Sequence, residues 1–304
     1  GFNPPVVNAA VMDARYASGR LFIGGLFTDI GGTPRTYLAE LNPSTGALKP
    51  DVNLAFAGLV WGGVGQVYKF DVSPNGNTMV VLGNFRTIDG QTRVQVGKID
   101  ISTSPATVIN WATSKYDIKC GSSNNTKFDV RDVDIAPDGS YFAIAATGGH
   151  TAVGALCDGV SRWEMSASGT GQEPTWFDLT GGDSLYSVAV TGAAIYVGGH
   201  LRWLNNPVYV SSFKGPGAVD REGIAALDPV NGLPLSWNPG RDRGLAVWDI
   251  VGTDSGLYIG NDTDRIALEF HGKHAKLPLA GGWIVPQPHA AALPVKVHLA
   301  NPSS

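Results

Sequence analysis

The chain repeats one pattern five times, and this repetition constrains the fold more than any other feature of the sequence. Each copy has an alternating strand, a turn and a second apolar strand that ends in small residues. The copies cover residues 11–25, 68–83, 130–146, 185–199 and 246–260. The second strands begin 58, 63, 53 and 62 residues apart, at Leu21, Met79, Phe142, Ile195 and Leu257. Five units of about 60 residues therefore fill the 304-residue chain.

Each unit continues into a third strand and an outer strand. These segments are 38–48, 96–111, 160–176, 224–237 and 266–279. Turn triplets such as Pro74-Asn75-Gly76 and Pro137-Asp138-Gly139 separate the paired strands and tolerate the positive φ of tight hairpins. The apolar period is 2, as in strands, and no sustained period of 3.6 is present. The sequence therefore predicts an all-β fold, a five-bladed β-propeller of four-stranded antiparallel blades.

The repeat also predicts the domain organisation. One domain is expected over residues 1–281, since all-β domains often reach this length. Its blades are expected at about 6–55, 64–111, 128–178, 183–239 and 244–281. The Pro-rich tail 282–304 is expected to pack on the propeller or to close its ring.

Two stretches of the first unit resemble a known repeat. They are LFIGGLFTDIGG (21–32) and TYLAELNPSTGAL (36–48), which are similar to the delta-60 repeat, a β-propeller repeat of secreted bacterial proteins. The segments VRDVDIAPDGSYF (130–142) and GIAALDPVNGLPLSWNPGR (223–241) extend this resemblance to uncharacterised exported actinobacterial proteins that carry such a propeller. The resemblance covers residues 6 to about 281 and implies the fold and export. It brings no catalytic residues.

The cysteines and the start of the chain bear on the compartment. Cys120 and Cys157 lie 37 residues apart, and we predict that they form a disulfide, with two free thiols as the alternative. A disulfide favours an oxidising compartment. No apolar stretch is long enough for a membrane span, and the chain begins at Gly1 without signal-peptide features. With the resemblance, this predicts a secreted or cell-surface protein whose signal peptide has been removed.

A long loop in the fourth unit is the first candidate site, because function concentrates in loops. It spans residues 200–222 and brings together His200, Arg202, Trp203, Asn205 and Asn206. An aromatic ring beside amides and a guanidinium is typical of sugar recognition. In the alternative interpretation, Trp203 packs the loop on a neighbouring blade while the two asparagines form turns.

The starts of the inner strands supply further candidates around the channel mouth. Tyr68, Arg131, Tyr186 and Trp248 are expected there as ligand-binding residues, with Lys69 beside them. The alternative is that these side chains only cap the channel and pair with one another. Together with the long loop, they predict a binding or interaction module whose favoured ligand is a glycan bound at the loop face around residues 200–222, with another surface protein as the alternative partner.

Carboxylates at the same places leave an enzyme open. A glycoside hydrolase needs two of them across the scissile bond, and the chain offers Asp13, Asp132, Glu222 and Asp249. A glycoside hydrolase or lyase is therefore the first alternative to a binding module. A structural or assembly protein that contacts other chains is the second.

Other chemistries have little support. The net charge is −4 and the basic residues do not cluster, which argues against a nucleic-acid partner. His271 and His274 are three residues apart without a zinc pattern, so no metal site and no cofactor are predicted. The Asp262–Asp264 segment leaves a structural calcium ion as an alternative, although it lacks the glycine and final glutamate of a calcium loop. Arg35 and Arg93 recur at equivalent loop places and are interpreted as shared turn chemistry.

Overall fold

A computed structural model describes residues 1–120, 127–149, 154–208, 213–242, 244–279, 282 and 284–285. Throughout these ranges the regular structure is β, without a helix. The strands form five main sheets, here numbered 1 to 5 in chain order, and each predicted repeat supplies one of them. No helix in the described ranges is long and apolar enough to cross a membrane.

Each main sheet has an inner, a second and a third strand, paired antiparallel. The inner strands are Val11–Ala17, Gln66–Val72, Val130–Ile135, Leu185–Val190 and Val247–Thr253. The second strands are Arg20–Gly25, Thr78–Asn84, Tyr141–Ala146, Ile195–Gly199 and Gly256–Asn261. The third strands are Leu38–Leu41, Val96–Asp100, Gly159–Glu164, Ile224–Leu227 and His274–Leu277.

The fourth, outer strand is less regular than the sequence predicts. Sheets 2 and 3 have one, at Thr107–Val108 and Trp176–Leu179. Sheets 1 and 4 have single bridges in its place, Leu41 to Leu48 and Leu227 to Pro234. Most of the predicted tail 282–304 lies outside the described residues, although Ile284 bridges Leu235 beside the outer edge of sheet 4.

Short strand pairs complete the fold between the second and third strands of four sheets. They are Asp29–Ile30 with Thr33–Pro34, Thr87–Ile88 with Gln91–Thr92 and Phe56–Ala57, Trp203–Leu204 with Val219–Asp220, and Arg265–Ile266 with Glu269–Phe270. In three of these hairpins a buried arginine donates to a main-chain carbonyl of the outer segment: Arg35 to Lys49, Arg93 to Ile109 and Arg221 to Leu235. The repeated arginines thus hold the hairpins to the sheets.

Neighbouring sheets pack face to face through apolar side chains. The inner strands lie beside one another in chain order, and alternate residues of each second strand face the preceding and the following sheet. Four hydrophobic clusters join neighbouring sheets, and they contain Phe22 and Val81, Val80 and Phe142, Ala143 and Ile195, and Tyr196 and Leu257, respectively. Burial of such side chains, at about 25 cal/mol per Å² of apolar surface, is the main force that holds the sheets together.

Two polar contacts also recur between neighbouring sheets. Near the centre, an aspartate accepts a main-chain N–H of the next inner strand: Asp13 from Phe70, Asp71 from Ile135, Asp132 from Val188 and Asp134 from Val190, at 3.1, 2.8, 2.9 and 2.6 Å. Farther out, a cation donates to a carbonyl just after the next third strand: Arg20 to Ile101, Lys98 to Met165 and Arg162 to Pro229, at 2.6, 2.5 and 2.7 Å. These bonds set the register between sheets, because each satisfies a polar group that would otherwise lack a partner.

The predicted disulfide between Cys120 and Cys157 is confirmed, with the two Cα atoms 5.9 Å apart. Both cysteines are buried. The bond joins the segment that leads into sheet 3 to the loop before its third strand.

Candidate functional site

The inner strands of the five sheets line one cavity of about 260 Å³. Its charged lining side chains are Asp13, Arg15, Lys69, Asp132, Asp134 and Asp249. They meet because the inner strands run side by side and side chains two residues apart project to the same face. Four of these six charged side chains are carboxylates and two are cations.

Contacts among these charges are long. The Arg15 guanidinium lies 3.7 Å from Asp71 and 3.9 Å from Asp13, and the Lys69 ammonium lies 3.8 Å from Asp249. The Asp249 side chain is 53% exposed, whereas Asp132 is buried. Asp249 is therefore accessible to a ligand in the cavity, while Asp13 and Asp132 also hold the neighbouring inner strands.

Burial changes the protonation of the deeper carboxyls. Burial raises the pKa of Asp132 to about 7, although Lys69 and the N–H of Val188 favour its charged form. Burial also raises the pKa of Asp71 and that of Asp134, and the nearby charge of Asp71 raises the pKa of Asp134 further. The cavity consequently holds both hydrogen-bond donors and acceptors near neutral pH.

A β-bulge interrupts each inner strand near its start, directly before the first cavity residue in sheets 1, 2, 3 and 5 and two residues before Val188 in sheet 4. The extra residues are Met12, Tyr68, Arg131, Tyr186 and Trp248. A bulge redirects a side chain, and the five bulges lie at equivalent places at the same end of the inner strands. We call this end the entrance.

The entrance is lined by aromatic rings and one guanidinium. The rings of Tyr186 and Trp248 lie 4.9 Å apart between centroids. The Arg131 guanidinium lies 5.8 Å from the ring centroid of Tyr68 and 4.6 Å from that of Phe128. The predicted entrance residues thus come together and partly pair with one another, while 49% of Trp248 remains exposed.

The two asparagines of the long loop do not face solvent as the sugar-binding interpretation expects. Residues 209–212 of this loop lie outside the described ranges. Asn205 and Asn206 are buried, and their amides donate to the carbonyls of Gly217 and Phe213 at 2.8 and 3.0 Å. They shape the loop from within, as the turn interpretation expects, instead of facing solvent.

The other loop candidates lie nearer the surface. Arg202 forms an ion pair with Asp183 at 2.7 Å, and its guanidinium lies 4.4 Å from the ring centroid of the half-buried Trp203. The His200 ring nitrogen Nδ1 lies 3.1 and 3.0 Å from the carbonyl oxygens of Gly244 and Leu245. The loop is thereby joined to the segment that leads to Trp248.

The four predicted carboxylates separate into two groups. Asp13, Asp132 and Asp249 line the cavity, whereas Glu222 is exposed beyond the hairpin of sheet 4. The cavity also contains Arg15 and Asp134, with Asp71 beside Arg15, which the sequence reasoning missed. Their alternate spacing with the predicted residues, in DAR, KFD and DVD, is the signal that points to them.

The candidate calcium segment has a structural role. Asp262 accepts main-chain N–H groups of Leu245 and Ala246 and pairs with Arg241 at 3.1 Å. In the described ranges, no group of three or more His, Cys, Asp or Glu side chains is arranged to hold a metal ion.

Comparison with known proteins gives two similarities. A family model described as a β-propeller domain of unknown function (DUF5122) matches residues 17–48, within sheet 1. The chain is also similar to the WD40 β-propeller domain of Doa1, with a TM-score of 0.45 and 12% identity, over 83% of this chain and 60% of that chain. No match was found among curated proteins.

Proposed function

We propose that this propeller is an interaction module that binds a glycan at the entrance of its central cavity. The observation that carries the proposal is the half-exposed Trp248, which lies beside Tyr186 with the two rings tilted by 47°, directly before the cavity residue Asp249. An aromatic face binds the C–H face of a pyranose, and a carboxylate and an ammonium next to it bind hydroxyl groups. Asp249 and Lys69 supply this polar pair.

The size and position of the cavity support this proposal. A volume of about 260 Å³ is just below the usual range of about 300–1,000 Å³ for small-molecule sites, which suits one sugar residue or the end of a chain. We propose further that the five sheets are five blades around this cavity. The long loop at 200–222 lies at its side and contacts the entrance through His200.

Export is part of the same proposal. The disulfide between Cys120 and Cys157 is of the kind that persists in oxidising compartments, and its burial keeps it from small reductants. Detection of the chain in the culture medium or on the surface of the producing cells tests this. Confinement to the cytosol would contradict it.

A glycan-array and polysaccharide pull-down screen tests the binding function. The wild-type chain is compared with Trp248→Ala and with Trp203→Ala, which removes an equally large ring from the long loop. We expect Trp248→Ala to lose about tenfold or more in affinity, equal to about 1.4 kcal/mol, and Trp203→Ala to bind as the wild type does. Unchanged melting temperatures for both variants show that the fold is intact.

Other outcomes identify the rival functions. Loss in Trp203→Ala alone moves the site to the long loop. Release of reducing sugar from a bound polymer indicates a glycoside hydrolase or lyase, for which Asp132, with its pKa of about 7, and Asp249 are the candidate acid and base. Absence of glycan binding in the wild type contradicts the proposal and favours a protein partner or an assembly role.

A further inference from the structure

Sheet 5 has an exposed face at a position that the other four sheets bury. In each second strand one residue faces the following sheet: Phe22, Val80, Ala143, Tyr196 and Tyr258. The first four are fully buried against the next sheet, whereas 46% of Tyr258 is exposed. Val251, in the inner strand beside Tyr258, is 50% exposed. In the other sheets this position is covered by the next sheet. In sheet 5 it is exposed, and no sheet among the described residues covers it.

The polar contacts between sheets also continue into sheet 5. Asp249 has the same place in its inner strand as Asp13 and Asp132, which accept N–H groups of the next inner strand. Lys276 has the same place in its third strand as Lys98, which donates to carbonyls of the next sheet. Lys276 is exposed and lies over the Tyr258 ring at 5.2 Å. An acceptor and a donor are therefore present at the two places from which sheet 3 bonds to sheet 4 through Asp132 and Arg162.

Sheet 1 has the opposite face of such an interface. Its Tyr16 and Met12 are 69% and 40% exposed. Val7 bridges Ile30 in the hairpin of sheet 1, as Phe56 bridges Ile88 in sheet 2. In sheet 2 this bridging segment arrives from sheet 1, so Val7 has the place in sheet 1 that a segment from a neighbouring sheet has in sheet 2.

Sheets 1 and 5 do not fill each other's open face. Their inner strands line the same cavity, but these two strands do not pack closely against each other. The other neighbouring inner strands do. We infer that the seam between sheets 5 and 1, marked by Tyr258 and Asp249 on one side and Tyr16 on the other, receives a further β-sheet of the same repeat. That sheet offers a main-chain N–H to Asp249 and a main-chain carbonyl to Lys276.

The physical case rests on burial and on pairing. The face of sheet 5 has Val251 and Tyr258 at its centre, Asp249 on its inner strand, and Lys276 and His274 on its third strand. Asp249 and Lys276 can thus make the hydrogen bonds that the edge of a repeat sheet makes, and Tyr258 the apolar contact. A propeller without such a sheet leaves Tyr258 and Val251 in water and leaves a gap between sheets 5 and 1. An added sheet buries these side chains and fills the gap.

Two cysteine substitutions test the inference. Tyr16→Cys and Tyr258→Cys are combined in the full chain and compared with the same variant extended at Asn3 by a copy of residues 183–237. This copy suits the junction because Trp237-Asn238-Pro239, which leads from sheet 4 to sheet 5, is similar to Phe2-Asn3-Pro4. Thiol alkylation, non-reducing electrophoresis and light scattering are then measured on both chains.

We expect both new cysteines to react freely in the 304-residue chain and to react about tenfold more slowly, or less, in the extended chain. An intramolecular cross-link between the two introduced cysteines in the unextended chain would show that sheets 1 and 5 close the ring directly and would overturn the inference. Dimers cross-linked through these cysteines would overturn it in favour of a second copy. Free alkylation in the extended chain counts against it as well.

Discussion

The raised pKa of Asp132 makes a strong prediction about stability and pH. Asp132 is buried between sheets 3 and 4, where its two oxygens accept the N–H groups of Val133 and Val188. Its pKa is about 7 in the folded chain, against an ordinary value of 3.8. The folded state binds the proton of the Asp132 carboxyl group more tightly than the unfolded state does. The stabilisation from this proton is therefore complete below pH 3.8 and is lost as the pH rises through 7.

The difference between the two pKa values corresponds to about 4 kcal/mol. The wild-type chain should therefore lose up to about 4 kcal/mol of unfolding free energy between pH 4 and pH 8 relative to Asp132→Asn, which cannot titrate. The asparagine leaves one N–H without its acceptor, at a cost of about 1–3 kcal/mol, but this cost does not change with pH. The difference in unfolding free energy between the wild type and Asp132→Asn therefore reports the pKa of Asp132 only through its change with pH.

Urea unfolding at half-unit steps between pH 4 and pH 8 measures this slope. Asp138→Asn is the control, because Asp138 lies in an exposed turn and its hydrogen bond with Ser140 lowers its pKa. Its contribution has the opposite sign and is lost only as the pH falls through that lowered pKa. A difference between wild type and Asp132→Asn that is constant across the range, or that rises with pH, would refute the reasoning.

Three further predictions concern the packing of the sheets. Replacing Cys120 and Cys157 by serine should lower the unfolding free energy by about 4 kcal/mol, because the bond closes a 37-residue loop; an equal urea midpoint with and without the bond would contradict this. Arg93→Lys should cost about 1–3 kcal/mol, since a lysine lacks the planar fork that reaches the outer strand, and thermal unfolding measures it. Phe22→Ala should lower the unfolding free energy by about 3–5 kcal/mol and Tyr258→Ala by much less, because Phe22 is fully buried and Tyr258 is half-exposed. Equal losses of unfolding free energy in calorimetry would show that the seam between sheets 5 and 1 is already filled.

Local patterns in the sequence were enough for the strands and the disulfide. The alternation of apolar and polar residues in segments such as 11–25 and 130–146 predicts strands, and the Pro-Asn-Gly and Pro-Asp-Gly triplets predict the turns. Both depend on residues close together in the chain. The regular spacing of the five copies then predicts five similar sheets, because each copy carries the same information.

The loop at 200–222 shows the limit of such reasoning. Its composition predicts exposed amides beside a tryptophan, yet Asn205 and Asn206 are buried and bond to main-chain groups of the same loop. Composition alone does not distinguish a polar side chain that meets solvent from one that satisfies a folded loop. The conformation of the loop decides which carbonyls lie within hydrogen-bonding distance.

The entrance residues show what the two levels share. The sequence alone determined that an aromatic or charged residue stands at the start of four inner strands, because each copy repeats that position. Tertiary structure decided that the bulges lie at one end of the neighbouring inner strands, and that the charge of Asp71 lies close enough to raise the pKa of Asp134. It also decided which faces remain open, since burial of Phe22 and exposure of Tyr258 at equivalent positions depend on whether another sheet lies beside them. Neighbours in space set exposure, pKa and accessibility, whereas the local pattern sets only the strand and the face on which each residue lies.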